Sequence, residues 1–435
     1  MLGETGFTAA IVPDDGEGAP GGQPLAVIVA GVPTKEGRDR DLPATGEKSR
    51  RWIVFADRGG TGEKVAGVLR RRGDSCVLVD PGTAYRRSGE RFEVDARSPG
   101  EIARVLGEAG DGTPLRMLYL WGLDAVEGTE AAGTRHDVET ACSMAVSAFR
   151  GLLGSGVSGK FWMVTRGAQK AGPGSRPPEC GQAPLWGIGR GIAVEHPDLW
   201  GGLVDLDPGT GAGEQAAMAI ECACREDGED QVAVREGKRL AARLVRAPAP
   251  AHSMPAVRDD GSYLVTGGLG GLGLKVARWL FDRGARHLVL TGRRGLPGRE
   301  AWPAIDPNTE QGRNVAAILA MESAGAVVEA LAVDASERPS MERLFARFGG
   351  EWPELRGVVH AAVAMSQCPL RDLDEATLGG MLASKVGGTR NLLALGAGMP
   401  LEFVVLFSST TALLGAGGLA HYAAANGYLD AVAHE

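Results

Sequence analysis

The sequence has no excess of basic residues and no long hydrophobic run. Lys and Arg number 46 against 54 Asp and Glu, which gives a formal net charge of −8. A mildly acidic chain offers no electrostatic reason to expect nucleic-acid binding. No apolar run reaches the ~18 residues of a membrane-spanning helix, and the N-terminus lacks the basic and apolar segments of a secretory signal. We therefore predict a cytoplasmic protein without nucleic-acid or membrane partners.

Cysteines are few and scattered. Six occur in 435 residues, and only Cys222 and Cys224 lie close together, without a second Cys or His pair at zinc-finger spacing. We predict buried or inert thiols, no metal site and no disulfide framework.

Apolar residues and turn formers are plentiful. Hydrophobic residues make up 44% of the chain and charged residues 23%, as in globular proteins. At roughly 150 residues per domain, the length predicts two or three domains. Gly (66) and Pro (24) indicate many tight turns and some linker.

A pattern of strand, glycine-rich turn, helix and strand occurs twice in the chain. Residues 59–66 align without a gap opposite residues 270–277. The repeat predicts an α/β fold of two tandem Rossmann-like units, each a doubly wound parallel sheet. Strands are predicted at 52–55, 75–79, 115–120, 161–165, 202–206, 231–234, 240–245, 263–266, 287–290, 327–333, 357–361 and 403–408.

The composition shifts predict the domain boundaries. We expect a linker or the tail of a preceding domain over 1–50, with apolar runs at 6–12 and 25–30, the second read as a strand. A structural Rossmann-like subdomain follows over 51–246. Prolines then predict a linker over 247–257, and a catalytic subdomain over 258–435 completes the chain.

A dinucleotide site is predicted at the glycine-rich turn of the second unit. Glycines allow a tight turn and close backbone approach, while the N-terminus of the following helix presents N–H groups to a diphosphate. The alternative is a glycine turn kept for packing alone. The predicted binding residues in the turn are Thr266, Gly267, Gly268, Leu269, Gly271, Leu272 and Gly273.

Residues after the next two strands refine the cofactor prediction. Arg293 and Arg294 stand where an NAD-binding protein carries an acid, and two guanidinium groups favour the 2′-phosphate of NADPH. The alternative is an Arg pair that only faces solvent. Asp334, which closes the third strand, is placed either to meet the adenine or to cap a helix.

The first unit lacks the same glycines. Ala56 and Asp57 stand opposite Gly267 and Gly268. A Cβ atom and a carboxylate at the place of a diphosphate are unfavourable on steric and electrostatic grounds. We therefore predict that the first unit is degenerate and binds no cofactor.

Four residues of the second unit carry a resemblance to a known family. Lys385, Ser409, Tyr422 and Asn426 are similar to the active site of a ketoreductase domain of a modular polyketide synthase. That family is a branch of the short-chain dehydrogenase/reductases with the lysine on an earlier helix and an asparagine four residues after the tyrosine. The first unit resembles the structural subdomain of the same family over 162–168, 183–190 and 195–205.

The resemblance implies a reaction and its partners. It implies NADPH-dependent reduction of the β-keto group of a chain held on the phosphopantetheine of an acyl carrier protein, within a multidomain synthase. Ala361 and Ala362 match its cofactor-binding His-Ala-Ala segment. The alternatives are a redox-silent scaffold or epimerising domain, and a reductase outside synthases, which the cofactor-free first unit disfavours.

The residue types suit this chemistry. A ketone that accepts hydride becomes an alkoxide, so Tyr422 is the expected proton donor. The Lys385 ammonium would stabilise the phenolate and lower its pKa, and it is also expected to hold the nicotinamide ribose. Ser409 would donate to the carbonyl oxygen, and by resemblance Asn426 would support Lys385 and a water. Each residue also has a purely structural alternative, as a packed, strand-ending or solvated side chain.

The sequence departs from the family pattern in three places. Val363 replaces the glycine of His-Ala-Ala-Gly, which adds bulk near the cofactor ribose. Met365-Ser366-Gln367 and Leu414 replace the stereochemical markers, and the absent Leu-Asp-Asp favours the L-hydroxy class. The chain ends 13 residues after Tyr422. From this we predict a fragment of a longer synthase, without the last strands and the lid helix and with weak or no reduction on its own.

Overall fold

The computed structural model describes residues 27–33, 50–125, 131–172, 176–246 and 256–435. These residues form two α/β units, each with its own sheet. The predicted run at 6–12, most of the segment 1–50 and most of the linker 247–257 lie outside the described residues. Among the described helices, none has the length and apolar character that crossing a membrane requires.

The first unit is built on a ten-stranded sheet. Its elements in chain order are β1 (Val27–Pro33), β2 (Arg51–Phe55), α1 (Thr61–Arg71), β3 (Ser75–Gly82), β4 (Arg86–Ser88), β5 (Arg91–Asp95), α2 (Pro99–Ala109), β6 (Leu115–Tyr119), α3 (Ala131–Ser155), β7 (Gly159–Arg166), α4 (Ala183–Glu195), β8 (Trp200–Leu206), α5 (Ala212–Cys224), β9 (Gln231–Arg235) and β10 (Lys238–Arg246).

The strand order of this sheet is β1-β10-β9-β8-β7-β6-β2-β3-β5-β4. All neighbours from β9 to β5 in that order pair in parallel. Helices α1 to α5 return the chain across the faces of the sheet between these strands, except between β3 and β5, which β4 connects. Antiparallel pairs occur at both ends, and one of them, β9 with β10, is a hairpin of the strands predicted at 231–234 and 240–245. Glu236 and Gly237 in its turn both have positive φ, the geometry of a tight hairpin turn.

Strand β1 extends this sheet at its edge. It pairs antiparallel with β10, with Val27 opposite Arg246 and Pro33 opposite Leu240. The strand predicted at 25–30 therefore belongs to the sheet of the first unit. It begins at Val27, two residues later than predicted.

The second unit is built on a five-stranded parallel sheet. Its elements in chain order are β11 (Ser262–Thr266), α6 (Gly271–Asp282), β12 (His287–Gly292), α7 (Glu310–Ser323), β13 (Val327–Ala332), α8 (Arg338–Phe345), β14 (Leu355–His360), α9 (Glu375–Leu382), α10 (Gly388–Gly396), β15 (Phe403–Leu406), α11 (Thr411–Leu414) and α12 (Ala420–Val432). A π-helical segment, Ala383–Gly387, joins α9 to α10.

The order of this second sheet is β13-β12-β11-β14-β15. The chain winds outward in one direction from β11 to β13 and then returns to the other side of β11 with β14. Ligands of such sheets bind at the carboxyl ends of the strands where the order reverses. The prediction of two tandem Rossmann-like units is confirmed.

The two units share a hydrophobic core and a close helix contact. Phe149 and Trp186 of the first unit belong to one buried cluster with Leu378 and Tyr428 of the second. Helix α4 approaches α12 so closely that a Cβ atom on Gly187 would lie 2.3 Å from the α12 backbone. The first unit therefore forms the packing surface for α12.

The cysteines are mostly in the core. No two of them are joined by a disulfide in the described part of the chain. Burial raises the pKa of Cys76 and Cys142 to about 12, so these thiols stay protonated at neutral pH. Cys224 and Cys368 are half-buried.

Candidate active site

Most of the predicted cofactor residues line one cleft of about 420 Å³ at the carboxyl edge of the second sheet. They come together because β11, β12, β13 and β14 are parallel and end at the same edge. The predicted residues that line it are Thr266, Gly267, Leu269, Gly271, Leu272, Gly273, Arg293, Arg294, Asp334, Ala361 and Ala362.

Gly268 is the predicted residue that does not line this cleft. Its N–H donates to the carbonyl oxygen of Thr291 at 3.0 Å, and a Cβ atom on it would lie 2.7 Å from the carbonyl oxygen of Val265. Gly268 therefore closes the turn against the strands, and its role is structural.

The glycine turn has the geometry that a diphosphate requires. Gly267 has φ +71°, and a Cβ atom on it would lie 2.7 Å from the backbone nitrogen of Ala362. A Cβ atom on Gly273 would lie 2.2 Å from the carbonyl oxygen of Gly267. Only glycine at these two positions permits the close backbone contacts, because it has no Cβ atom. The turn thereby leaves the N-terminus of α6 open to the cleft. These residues fit a nicotinamide dinucleotide.

The polar residues of the cleft differ in their partners. Arg293 and Arg294 are exposed, and neither forms an ion pair with another described residue. Asp334 lines the cleft, and its Oδ1 accepts from the backbone N–H and the hydroxyl of Ser336 at 2.9 and 2.8 Å. These bonds close a turn before α8, and because no side chain caps that helix, the capping role considered for Asp334 is not present.

Asn314 and Ser384 also line the cleft and were not predicted. The side chain of Asn314 on α7 donates to the carbonyl oxygen of Leu269 at 2.6 Å, which holds the glycine turn from outside. Both lie on helices, without a glycine or charge pattern that would single them out in the sequence.

His360 joins the two strands at the point where the sheet order reverses. Its Nδ1 lies 2.6 Å from the hydroxyl oxygen of Thr266. Burial, together with the nearby Lys385 charge, lowers the pKa of His360 to about 4. The imidazole is therefore neutral at physiological pH, and it links the ends of β11 and β14 by a hydrogen bond.

Lys385 and Tyr422 lie next to each other beside the cleft. Lys385 follows the cleft residue Ser384 in the π-helical segment, a local form that is frequent at functional sites. Its Nζ donates to the carbonyl oxygen of Phe407 at 2.7 Å and lies 5.7 Å from the ring centre of Tyr422. Burial lowers the pKa of Lys385 to about 8, while the carboxylate of Asp430 opposes this shift.

Asn426 is fixed one helical turn after Tyr422. Its Nδ2 donates to the carbonyl oxygen of Tyr422 at 2.8 Å. Its Oδ1 is buried and has no hydrogen-bond partner among the described residues. A buried, unpaired acceptor is uncommon in proteins, and it suits a water or an ammonium group.

Ser409 lies in the loop after β15. Its Oγ accepts from the backbone N–H and the hydroxyl of Thr411 at 3.2 and 3.0 Å. A serine hydroxyl has two acceptor positions and one donor. Since Thr411 uses both acceptor positions, the O–H of Ser409 remains to donate to a carbonyl oxygen.

Three residues that depart from the family pattern are exposed apolar side chains. Val363 lines the cleft and is 40% exposed, while Met365 and Leu414 are 63% and 60% exposed. Large apolar side chains with this exposure are few among the described residues.

In the first unit, a carboxylate occupies the corresponding turn. Asp57 is buried, and its oxygens accept from the backbone nitrogens of Thr61 and Gly62 at 3.2 and 2.7 Å. These N–H groups begin α1, where a diphosphate would otherwise be bound. The side chain of Asp57 thus fills the anion position with a charge from the chain itself.

Two protein families match successive parts of the chain. The family described as "KR domain" matches residues 261–435, and "Polyketide synthase extender module SpnB, Rossmann fold domain" matches residues 81–244. A solved structure of A-type ketoreductases from a modular polyketide synthase is 30% identical, with a TM-score of 0.74 over 94% of this chain and 80% of that chain. The chain belongs to the ketoreductases of modular polyketide synthases.

Further relatives of this ketoreductase include a second solved ketoreductase and two long synthases. An A1-type ketoreductase structure is 31% identical with a TM-score of 0.73, covering 94% of this chain and 79% of that one. Polyketide synthase GfsA of Streptomyces halstedii is 34% identical over 88% of this chain, and erythronolide synthase EryA3 of Saccharopolyspora erythraea is 36% identical over 78%. The chain spans only 5% and 10% of the length of these two synthases.

Proposed function

We propose that this chain reduces the β-keto group of an acyl thioester to a β-hydroxyl group with NADPH. The thioester is carried by an acyl carrier protein of the same synthase, and the other synthase domains are its further partners. The observation that carries the proposal is the contact of Lys385 with Tyr422 beside a cleft that fits a nicotinamide dinucleotide. Family membership supports an oxidoreductase of this class.

In this proposal the cofactor supplies a hydride to the ketone carbon, and the chain handles the proton. As negative charge develops on the carbonyl oxygen, Ser409 stabilises it with its O–H, and Tyr422 transfers the phenolic proton to it. The Lys385 ammonium stabilises the resulting phenolate. The unpaired Oδ1 of Asn426 accepts from a water, which completes the route for the replacement proton.

The choice of NADPH rests on Arg293 and Arg294. Both guanidinium groups are exposed at the cleft and lack an ion-pair partner among the described residues. A 2′-phosphate would pair with them in charge-assisted hydrogen bonds, whereas the 2′-hydroxyl of NADH would leave both charges without a counter-charge.

The test is consumption of NADPH with a small β-ketoacyl thioester, under single-turnover conditions with the chain in excess. Y422F removes the proton donor and is expected to slow reduction about 100- to 10,000-fold, with little change in the affinity for NADPH. Y85F, on the first unit, is the matched control and should reduce at the wild-type rate. Equal rates of reduction for Y422F and the wild type would refute the proposal.

A further inference from the structure

Glu195, the last residue of α4 in the cofactor-free unit, contacts two segments of the catalytic unit. Its Oε2 accepts from the backbone N–H of Leu370 at 2.8 Å, and its Oε1 accepts from the backbone N–H of Gly418 at 2.9 Å. Each carboxylate oxygen thus binds one segment. Charge-assisted bonds of this kind are stronger than bonds between neutral groups.

The two segments border the reaction site. Leu370 ends the stretch that leaves β14 through Val363 and Met365. Gly418 lies four residues before Tyr422, in the loop that connects α11 to α12. Any displacement of these segments relative to each other changes the space between the exposed Met365 side chain and the tyrosine helix.

The segments also contact each other directly. The backbone N–H of Cys368 donates to the carbonyl oxygen of Gly418 at 2.9 Å. Gly418 has φ +71°, and a Cβ atom on it would lie 2.8 Å from the side chain of Gln367. The N–H and C=O of Gly418 are therefore both used, one for Glu195 and one for Cys368.

Helix α4 holds a third part of the catalytic unit as well. Arg190, which precedes Glu195 on this helix, is buried and donates to the carbonyl oxygen of Ala412 on α11. Its Nε donates to Gln231 of the first unit at 2.9 Å. The segments before and after Leu414 are thus both tied to α4, by Arg190 and by Glu195.

We propose that Glu195 is a positioning residue that determines specificity, because it sets the spacing of the two segments through which the acyl chain reaches the ketone site. The orientation of that chain decides which face of the ketone receives the hydride, and so the configuration of the hydroxyl group. Glu195 contacts no reacting atom. This inference rests on the proposed ketoreductase function.

Three variants test the inference. E195A removes both acceptors, E195Q retains a carbonyl oxygen for one amide but opposes the other with an NH₂ group, and E214Q changes an exposed glutamate on α5 as the matched control. Hydrogen exchange at the amides of Leu370 and Gly418 measures the contact without any need for turnover. Enantiomer ratio, KM, kcat and the Kd of NADPH measure its consequence with a β-ketoacyl thioester.

We expect E195A to lose about tenfold or more of the exchange protection at both amides. It should also raise KM and change the enantiomer ratio while the Kd of NADPH stays at the wild-type value, with E195Q intermediate and E214Q unchanged. Unchanged protection in E195A would overturn the contact. Lost protection with an unchanged KM and enantiomer ratio would overturn its role in specificity. Equal reduction by Y422F and the wild type would refute the proposed function, while the exchange experiment would still decide the contact.

Discussion

The Nζ of Lys385 lies 5.7 Å from the ring centre of Tyr422, although the two residues belong to different helical segments. A positive charge near a phenol favours its ionised form and so prepares the proton transfer that ketone reduction needs. In the proposed mechanism, this stabilisation of the phenolate requires that Lys385 carries its proton. Burial lowers its pKa to about 8, within the range of ordinary assays.

The first prediction concerns the pH dependence of reduction. We expect kcat to fall above about pH 8 as Lys385 loses its proton. Because the Asp430 carboxylate raises the pKa of Lys385, D430N should move this fall to lower pH. Stopped-flow measurements of the reduction rate from pH 6 to 10, at intervals of roughly one pH unit, follow this fall. The control is D198N, which changes an exposed aspartate of the first unit. A pH profile of D430N identical to that of D198N would contradict the prediction.

The second prediction separates stability from activity at Lys385. Its pKa is lower in the folded chain than the ordinary 10.5, so unfolding takes up a proton between about pH 8 and 10.5. Stability therefore rises with pH across that window, and below it the buried charge is a cost. K385M should remove this rise and stabilise the chain by roughly 1–3 kcal/mol at neutral pH.

Urea unfolding at several pH values measures the effect of K385M, and NADPH oxidation should be lost in the same variant. K275M, at an exposed lysine of α6, controls for the loss of one positive charge. A K385M chain that is less stable than the wild type at neutral pH would show that the ammonium is well compensated in the fold.

The third prediction concerns the choice between NADPH and NADH. R293A should weaken NADPH binding about 10- to 100-fold, because a charge-assisted bond to the 2′-phosphate is lost. NADH affinity should change little. Fluorescence titration of both cofactors measures the ratio, with R278A as control because that arginine pairs with Asp282 on α6. Equal losses for both cofactors would point to a general effect on the cleft.

The sequence predicts much of this fold because the decisive signals are local. Apolar runs of strand length and glycine turns before helices occur within short stretches, so both units and most strands of their sheets could be located. The short strands β4 and β5 were not predicted. The carboxyl edge as the binding site then follows from parallel strands alone. The resemblance indicated Lys385 and Tyr422, which lie next to each other in the structure, and their catalytic roles stay a prediction.

What the sequence could not predict depends on contacts between distant segments. Gly268 belongs to the glycine motif but its backbone N–H faces the strands and donates to Thr291, which motif spacing does not reveal. Asn314 supports the glycine turn from another helix, and Glu195 reaches across from the first unit. Such side chains are ordinary in composition and local pattern, so only the packing of the two units identifies them.

The fourth prediction concerns the carboxylate in the first glycine turn. D57A leaves the backbone nitrogens of Thr61 and Gly62 without their acceptor and removes a negative charge from the N-terminus of α1. Loss of such a cap costs about 1–2 kcal/mol. D57N, which keeps one acceptor oxygen, should lose less. Urea unfolding measures both, and unchanged stability in D57A would mean that water replaces the carboxylate at no cost.

The last prediction concerns the contact of α4 with the tyrosine helix. A Cβ atom on Gly187 would lie 2.3 Å from the backbone of Ala423 and Ala424, which cannot move aside as a side chain would. G187A should therefore destabilise the chain by about 1–3 kcal/mol and displace Tyr422.

The matched control is Gly107 on α2, where an added Cβ atom meets nothing within 4 Å. G107A should stabilise its helix by about 0.5–1 kcal/mol, since alanine is the better helix former. Thermal unfolding of both variants, together with single-turnover reduction, measures the difference. If G187A lowers stability but reduces ketones at the wild-type rate, the position of Tyr422 does not depend on the first unit, and the packing of α4 against α12 serves stability alone.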